Sequence, residues 1–199
     1  MAISTDTCGA VILAGGRSRR MGCCKATLEI DGQTMLERLL EKLSGFKERL
    51  LSANNPDLAA GLPVRLVSDL YQDAGPLGGL HAALSATEKD ALLCVSCDLP
   101  NFTTELAQLL LNRFPPSAGA MACRDSNGQV HPLCGIYTKS VLPVLEEHLR
   151  DGDRRMMSFL KDVRCIYLDT GGLIPDRCFF NMNTPETYQA LLLNTAAHS

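Results

Sequence analysis

No run in this 199-residue chain approaches the roughly 20 consecutive apolar residues needed to cross a bilayer. The opening MAISTDT lacks the basic and apolar regions of a secretory signal. A cytoplasmic protein that works away from membranes is therefore expected. A general excess of positive charge is missing too. The net charge is −3 and the pI about 5.8, which argues against a nucleic-acid binder. The nine cysteines are scattered, and only Cys94 and Cys97 form a C-x-x-C. Without a second pair at ligand spacing a structural zinc site is not expected, and a disulfide framework belongs to small secreted chains. Repeats, low-complexity segments and linkers are also lacking. Residues 1–199 read as one domain, with 46% hydrophobic residues supplying a sizeable core.

What is present gathers around Gly9–Lys25, GAVILAGGRSRRMGCCK. Ala10–Leu13 is a short, wholly apolar run, as in a strand buried on both faces. It breaks into Ala14-Gly15-Gly16, where missing side chains let backbone N–H groups approach a ligand closely. Arg17, Arg19, Arg20 and Lys25 follow. A glycine turn flanked by fixed positive charge suits a polyphosphate. Two common phosphate motifs are absent: Cys23 rather than Lys follows Gly22, so there is no P-loop, and no G-x-G-x-x-G occurs. A first strand ending in glycine beside a solvated arginine loop is the competing reading.

Further along, Thr34 and Glu37 form the spacing of a capping box for a helix that Gly45 ends. Strands are expected at Arg49–Ala53, Val64–Val67, Ala91–Val95, Gly119–Cys123 and Arg164–Leu168. Helices are expected from Gly75–Leu80 to about Ala86, from Thr103 or Thr104 to near Phe114, from Lys139 to His148 with an early break at Pro143, and after Pro185. Asn127-Gly128 marks a hairpin turn. Short apolar runs alternating with amphipathic helices predict an α/β, doubly wound, mostly parallel sheet with helices on both faces. Ligands then collect beyond the carboxyl ends of the strands, a rule that sets Gly15, Asn54 and Asp69 on one rim. Asn54 and Asp69 offer directional groups for a base or ribose, and loop capping is the alternative for each. Asp98, at the end of a buried strand, needs a cation. Magnesium beside a triphosphate would serve, as an alternative to a turn aspartate before Pro100. Arg154 and Arg155 at a helix start oppose the dipole, so either a bound anion or Asp151 and Asp153 must balance them. Cys94 lies within its strand, which disfavours a thioredoxin-like pair. His131, before a proline, is assigned no acid–base role.

LAGGRSRRMG followed by Lys25, GPLGGL, CDLP, HPLCGIY, RRMMSFL and FNMNTPE occur in the order found in the nucleotidyltransferases, and together resemble the molybdenum cofactor guanylyltransferases. Gly15-Gly16 is similar to that branch rather than to the Ala-Ala-Gly of the cytidylyltransferases. Cys24 departs from the family, which usually has an acidic residue there. The resemblance implies a Rossmann-like nucleotidyltransferase fold and transfer of GMP from GTP to the terminal phosphate of molybdopterin or Mo-molybdopterin, releasing pyrophosphate. It implies that Leu13, Ala14, Gly15, Gly16, Lys25, Asn54, Asp69 and Asp98 hold the nucleotide. Arg19 and Lys25 would offset charge on the leaving pyrophosphate, and Asp98 would fix Mg2+. Gly22, Gly75, Gly79, Arg155, Asn181 and Asn183 would face the acceptor. Implied partners are molybdopterin-loading proteins and molybdoenzymes. Other readings stay open at this point: a cytidylyltransferase, a different phosphorylated acceptor, a non-catalytic nucleotide-binding delivery protein, or a thiol or zinc protein built on Cys94 and Cys97.

Overall fold

Wholly apolar strands buried on both faces require helices on both sides, and the computed structural model, which describes residues 3–15 and 24–196, has them. In chain order the elements are β1 (Cys8–Leu13), β2 (Glu29–Ile30), β3 (Gln33–Thr34), α1 (Met35–Lys42), β4 (Arg49–Ser52), β5 (Arg65–Val67), α2 (Gly75–Ala86), β6 (Ala91–Ser96), α3 (Thr104–Arg113), β7 (Ala120–Arg124), β8 (Val130–Thr138), α4 (Leu142–Asp151), α5 (Met156–Asp162), β9 (Ile166–Asp169) and α6 (Pro185–Ala196). Seven strands form one sheet in the order β5-β4-β1-β6-β8-β7-β9, while β2 and β3 pair separately as a small hairpin. β5, β4, β1 and β6 are mutually parallel. β8 runs antiparallel to both β6 and β7, and β9 is parallel to β7. The tight turn Asp125–Gly128 forces that reversal: Gly128 sits at φ +80° and its N–H donates to the Asp125 carbonyl at 3.0 Å.

The period of two along β1 separates two cores. Ala10 and Ile12 pack with Leu36, Leu39 and Leu40 of α1 and with Leu106 and Leu110 of α3. Val11 and Leu13 face the other way, toward Leu77 and Leu80 of α2, Leu145 of α4 and Phe159 of α5. Helices thus cover both faces of a mixed, mostly parallel sheet, as the sequence predicts. Thr34 and Glu37 complete the capping box, and Thr103 caps α3 by accepting the Leu106 N–H at 3.2 Å.

Three local expectations shift. α1 stops at Lys42, ahead of Gly45. Gly75–Leu80 is already helical rather than a turn before the helix. Pro143 does not interrupt a helix: a single 3-10 turn at Lys139–Val141 precedes it, and α4 starts at Leu142. Proline then lies in the first turn, where its missing N–H has no partner to lose. Cys94 and Cys97 are free and buried, and burial pushes both thiols up to about 12, which leaves no reactive thiol pair there. Among the described residues, no helix is long and apolar enough to cross a membrane.

The β7–β8 pairing tolerates no side chain at Gly135. A Cβ there would collide with the Met121 carbonyl oxygen and lie 3.0 Å from Ala122 Cα, and both belong to backbone of the neighbouring strand. Gly135→Ala is therefore expected to destabilise the protein by about 1–3 kcal/mol, the usual range for overpacking. Urea unfolding will show it as a lower midpoint at unchanged slope.

Candidate active site

The carboxyl ends of the parallel strands are tied together by backbone hydrogen bonds that continue past the regular sheet. Ala14 N–H donates to the Ser52 carbonyl at 2.9 Å, Cys97 N–H to Leu13 at 3.0 Å, and Ala53 N–H to Val67 at 3.1 Å. Gly15, Asn54, Asp69 and Asp98 therefore leave the sheet along one rim. Gly16, Arg19 and Gly22 lie outside the described residues.

A cleft of about 750 Å³ opens at this rim, lined by Ala14, Gly15, Cys24, Asn54, Asp69, Asp73 and Gly75 among others. Its inner wall is a small polar network. Asn54 Oδ1 accepts the Asp69 N–H at 3.3 Å, and Ser52 Oγ donates to Asp69 Oδ1 at 3.4 Å. Asp69 is half-buried, and that burial pushes its carboxyl up, against the hydrogen bonds from Ser52 and Asn54. A carboxylate acceptor beside an amide is suited to the N–H groups of a base or the hydroxyls of a ribose. Gly75 lines the cleft at φ +61°, a conformation that favours glycine. Gly79 is buried. A Cβ there would stand 2.5 Å from Ser52 Oγ and 3.3 Å from Leu13 Cδ2, so its absence lets α2 pack directly under the strand ends.

Next to Cys24 of the cleft lining, Lys25 brings opposite charges together. Lys25 Nζ lies 3.4 Å from Asp98 Oδ2, with the two side chains only 16% and 18% exposed. The same ammonium donates a short hydrogen bond to Asn183 Oδ1. Met182 N–H donates to the Asp98 carbonyl at 2.9 Å, and the Met182 side chain is buried with Ile30 and Met35. Asn181 bonds within its own turn, its Nδ2 donating to the Phe179 carbonyl at 3.1 Å. Among the described residues no three His, Cys, Asp or Glu side chains gather as a metal cage. The lone Asp98 carboxylate fits a hard cation that completes its shell with phosphate oxygens and water.

The arginine pair divides in two. Arg155 is 79% exposed and forms a bidentate pair with Asp153, at 2.8 and 2.9 Å, which holds that carboxyl well below the usual range. Here the balancing carboxylate reading of the sequence applies. Arg154 instead donates to the carbonyl of Asp73 on the cleft wall. His131 is buried, 3.0 Å from Asp125 and stacked on Phe179 at 4.4 Å, in keeping with a structural role. Sequence reasoning missed Ser52, Gln72 and Asp73. A polar residue closing the apolar strand Leu50–Ser52 is a signal for the first, while no local pattern marks the other two; Arg154 is marked by its place at a helix start, but not its reach to Asp73.

A model of the MobA-like NTP transferase domain matches residues 10–166. A probable molybdenum cofactor guanylyltransferase of Pelotomaculum thermopropionicum is 36% identical over 181 residues, covering 88% of this chain and 87% of its own length. The structure of molybdopterin-guanine dinucleotide biosynthesis protein A from Archaeoglobus fulgidus superposes with a TM-score of 0.83 at 22% identity, covering 95% of this chain and 99% of that one. Rv0371c of Mycobacterium tuberculosis, solved in complex with manganese, follows with a TM-score of 0.69 at 20% identity, over 96% of this chain and 100% of that one.

The Asp69 environment has a measurable signature. Its folded-state pKa lies above the ordinary 3.8, so the folded protein holds the proton more tightly than the unfolded chain. That contribution to stability is complete below the unfolded value and is lost as pH rises through the folded one. Asp69→Asn is expected to remove this decline, leaving the variant more stable than the parent at neutral pH. Thermal unfolding of both proteins from pH 3 to pH 7, on the order of one reading per pH unit, checks it.

Proposed function

The chain belongs to the MobA-like NTP transferase family, and from that footing we propose that it transfers GMP from GTP to the terminal phosphate of molybdopterin. The products are molybdopterin guanine dinucleotide and pyrophosphate. The observation that carries this reading is the Lys25–Asp98 pair, held by Asn183 and adjoining Cys24, which lines the same cleft as Asn54 and Asp69. A cation and a metal-binding carboxylate, together with base- and ribose-binding groups, are what a nucleoside triphosphate needs.

In this reading an oxygen of the acceptor phosphate attacks the α-phosphorus. The bond to the bridging oxygen breaks, and pyrophosphate leaves with the electron pair. The attacking group is already anionic, so the reaction needs no covalent enzyme intermediate and no strong base. Catalysis comes from positioning and from neutralising charge. Lys25 offsets the charge that grows on the leaving pyrophosphate, and Arg19 of the first loop is assigned the same task. Leu13, Ala14, Gly15 and Gly16 carry the nucleotide, with Asn54 and Asp69 at the guanosine. Asp98 would hold Mg2+ together with phosphate oxygens, and the ion would supply further charge neutralisation. The manganese found in the Mycobacterium tuberculosis relative supports a divalent cation here. Gly22, Arg155, Asn181 and Asn183 are assigned to the acceptor side. Hand-over to molybdopterin-loading proteins and molybdoenzymes in the cytoplasm completes the reading.

Calorimetry with GTP, CTP and ATP in the presence of magnesium tests the nucleotide, and the expected result is a clear preference for GTP. A preference for CTP would instead make the protein a cytidylyltransferase. Asp98→Ala is expected to lower turnover at least about 100-fold, the scale of losing a main electrostatic group in a phosphoryl-transfer site. Its unfolding midpoint should stay close to the parent's. Full activity of that variant with magnesium would sink the assignment of Asp98.

A further inference from the structure

The outer wall of the cleft is the segment between β5 and α2, and its conformation is unusual. Asp73 has φ +53° and Gly75 has φ +61°, two left-handed residues on either side of buried Ala74. Glycine adopts that region freely, but an L-residue such as Asp73 does so at a cost and needs a support. Leu70 in the middle of the segment is 70% exposed, and the run Ser68–Ala74 contains no helix or strand. Tyr71 rests edge-on against His81 of α2, with ring centres 5.1 Å apart, but that contact lies two residues before the strained turn.

At the turn itself the Arg154 guanidinium donates to the Asp73 carbonyl. Arg154 stands on a firm base. Asp153 Oδ1 accepts the Arg155 N–H at 3.1 Å, and its carboxylate takes the Arg155 guanidinium. His148 Nδ1 lies 3.7 Å away on its other side, and the same ring contacts Asp162 at 2.9 Å and packs edge-on against Phe159 in the core. A fixed carbonyl at residue 73 sets the peptide plane entering Ala74. Ala74 in turn lies against Gly78, where an added Cβ would meet the Ala74 Cβ at 2.8 Å and Asp69 Cγ at 3.7 Å. The orientation of the wall therefore passes from Arg154 through Asp73 and Ala74 to the surroundings of Asp69.

We propose that Arg154 is a positioning residue for the nucleotide: by holding the Asp73 carbonyl it fixes the left-handed turn and with it the outer wall of the cleft. This rests on the reading of the cleft as a GTP site. Arg154 acts on the nucleoside half of the ligand through the wall, and not on the triphosphate through its charge. A charge-assisted hydrogen bond of this kind carries about a tenfold effect on an equilibrium it biases.

The test is calorimetry on the full-length parent and Arg154→Ala, with GTP and, by competition, with guanosine, which lacks phosphate. The variant should weaken both ligands by the same factor, about tenfold. In turnover assays it should raise KM for GTP while kcat at saturation stays within about twofold, as loss of uniform binding does. Arg154→Lys, which keeps a donor at nearly the same reach, should recover part of the affinity. A loss confined to GTP would mean that Arg154 attracts the triphosphate, and would overturn the proposal. Equal affinities in parent and variant would overturn it as well, with GTP binding by the parent leaving the wider reading intact. A folded parent that binds neither ligand overturns both.

Discussion

A carboxylate at the end of a buried strand is the constraint around which this site is arranged. All six residues of β6 are buried, and Asp98 emerges two positions beyond them with its side chain only 18% exposed. A charge so placed loses much of its hydration and is tolerated only beside compensating groups. Lys25 arrives from the segment after β1, and Asn183 holds that ammonium from the far end of the chain. The Met182 N–H fixes the Asp98 backbone. In the proposed reaction, triphosphate and divalent cation enter between charges that already face each other. Lys25 and Asp98 are each other's counter-ion, and bound triphosphate and cation would take over those two roles.

The sheet makes this economical. Four parallel strands deliver their carboxyl ends to one rim, and the hydrogen bonds from Ala14, Ala53 and Cys97 lock those ends in register. The reversal at β8 ends the parallel run beside β6, so Asp98 stands on the last strand of the parallel group. Beneath the rim, the missing Cβ at Gly79 lets α2 close against Ser52 and Leu13. Polar groups above and tight packing below are parts of the same arrangement.

Most of this framework was legible because it is local. The wholly apolar run Ala10–Leu13, the Thr34–Glu37 box and the Asn127-Gly128 turn each carry their structure within a few residues. The strand-end rule then placed Asn54, Asp69 and Asp98 without a contact being known. Less legible is a role set by something distant. Gly79 in GPLGGL packs against Ser52, 27 positions earlier. Arg155 pairs with its near neighbour Asp153, while Arg154 crosses 81 positions to the cleft. Pro143 was read as a break because sequence alone does not show which turn of the helix it occupies.

Met182 and Asn183 follow the last strand. Every strand of the seven-stranded sheet lies at or before Asp169, and most of both cores with them. The groups that steady Asp98 and Lys25 come after it, along with the α6 contact in which the Tyr188 hydroxyl donates to the Glu29 carbonyl at 2.6 Å. Met182 and Asn183 thus tie the strand-end charges to a segment outside the sheet. A change confined to that segment can loosen the Lys25–Asp98 pair while every strand keeps its neighbours.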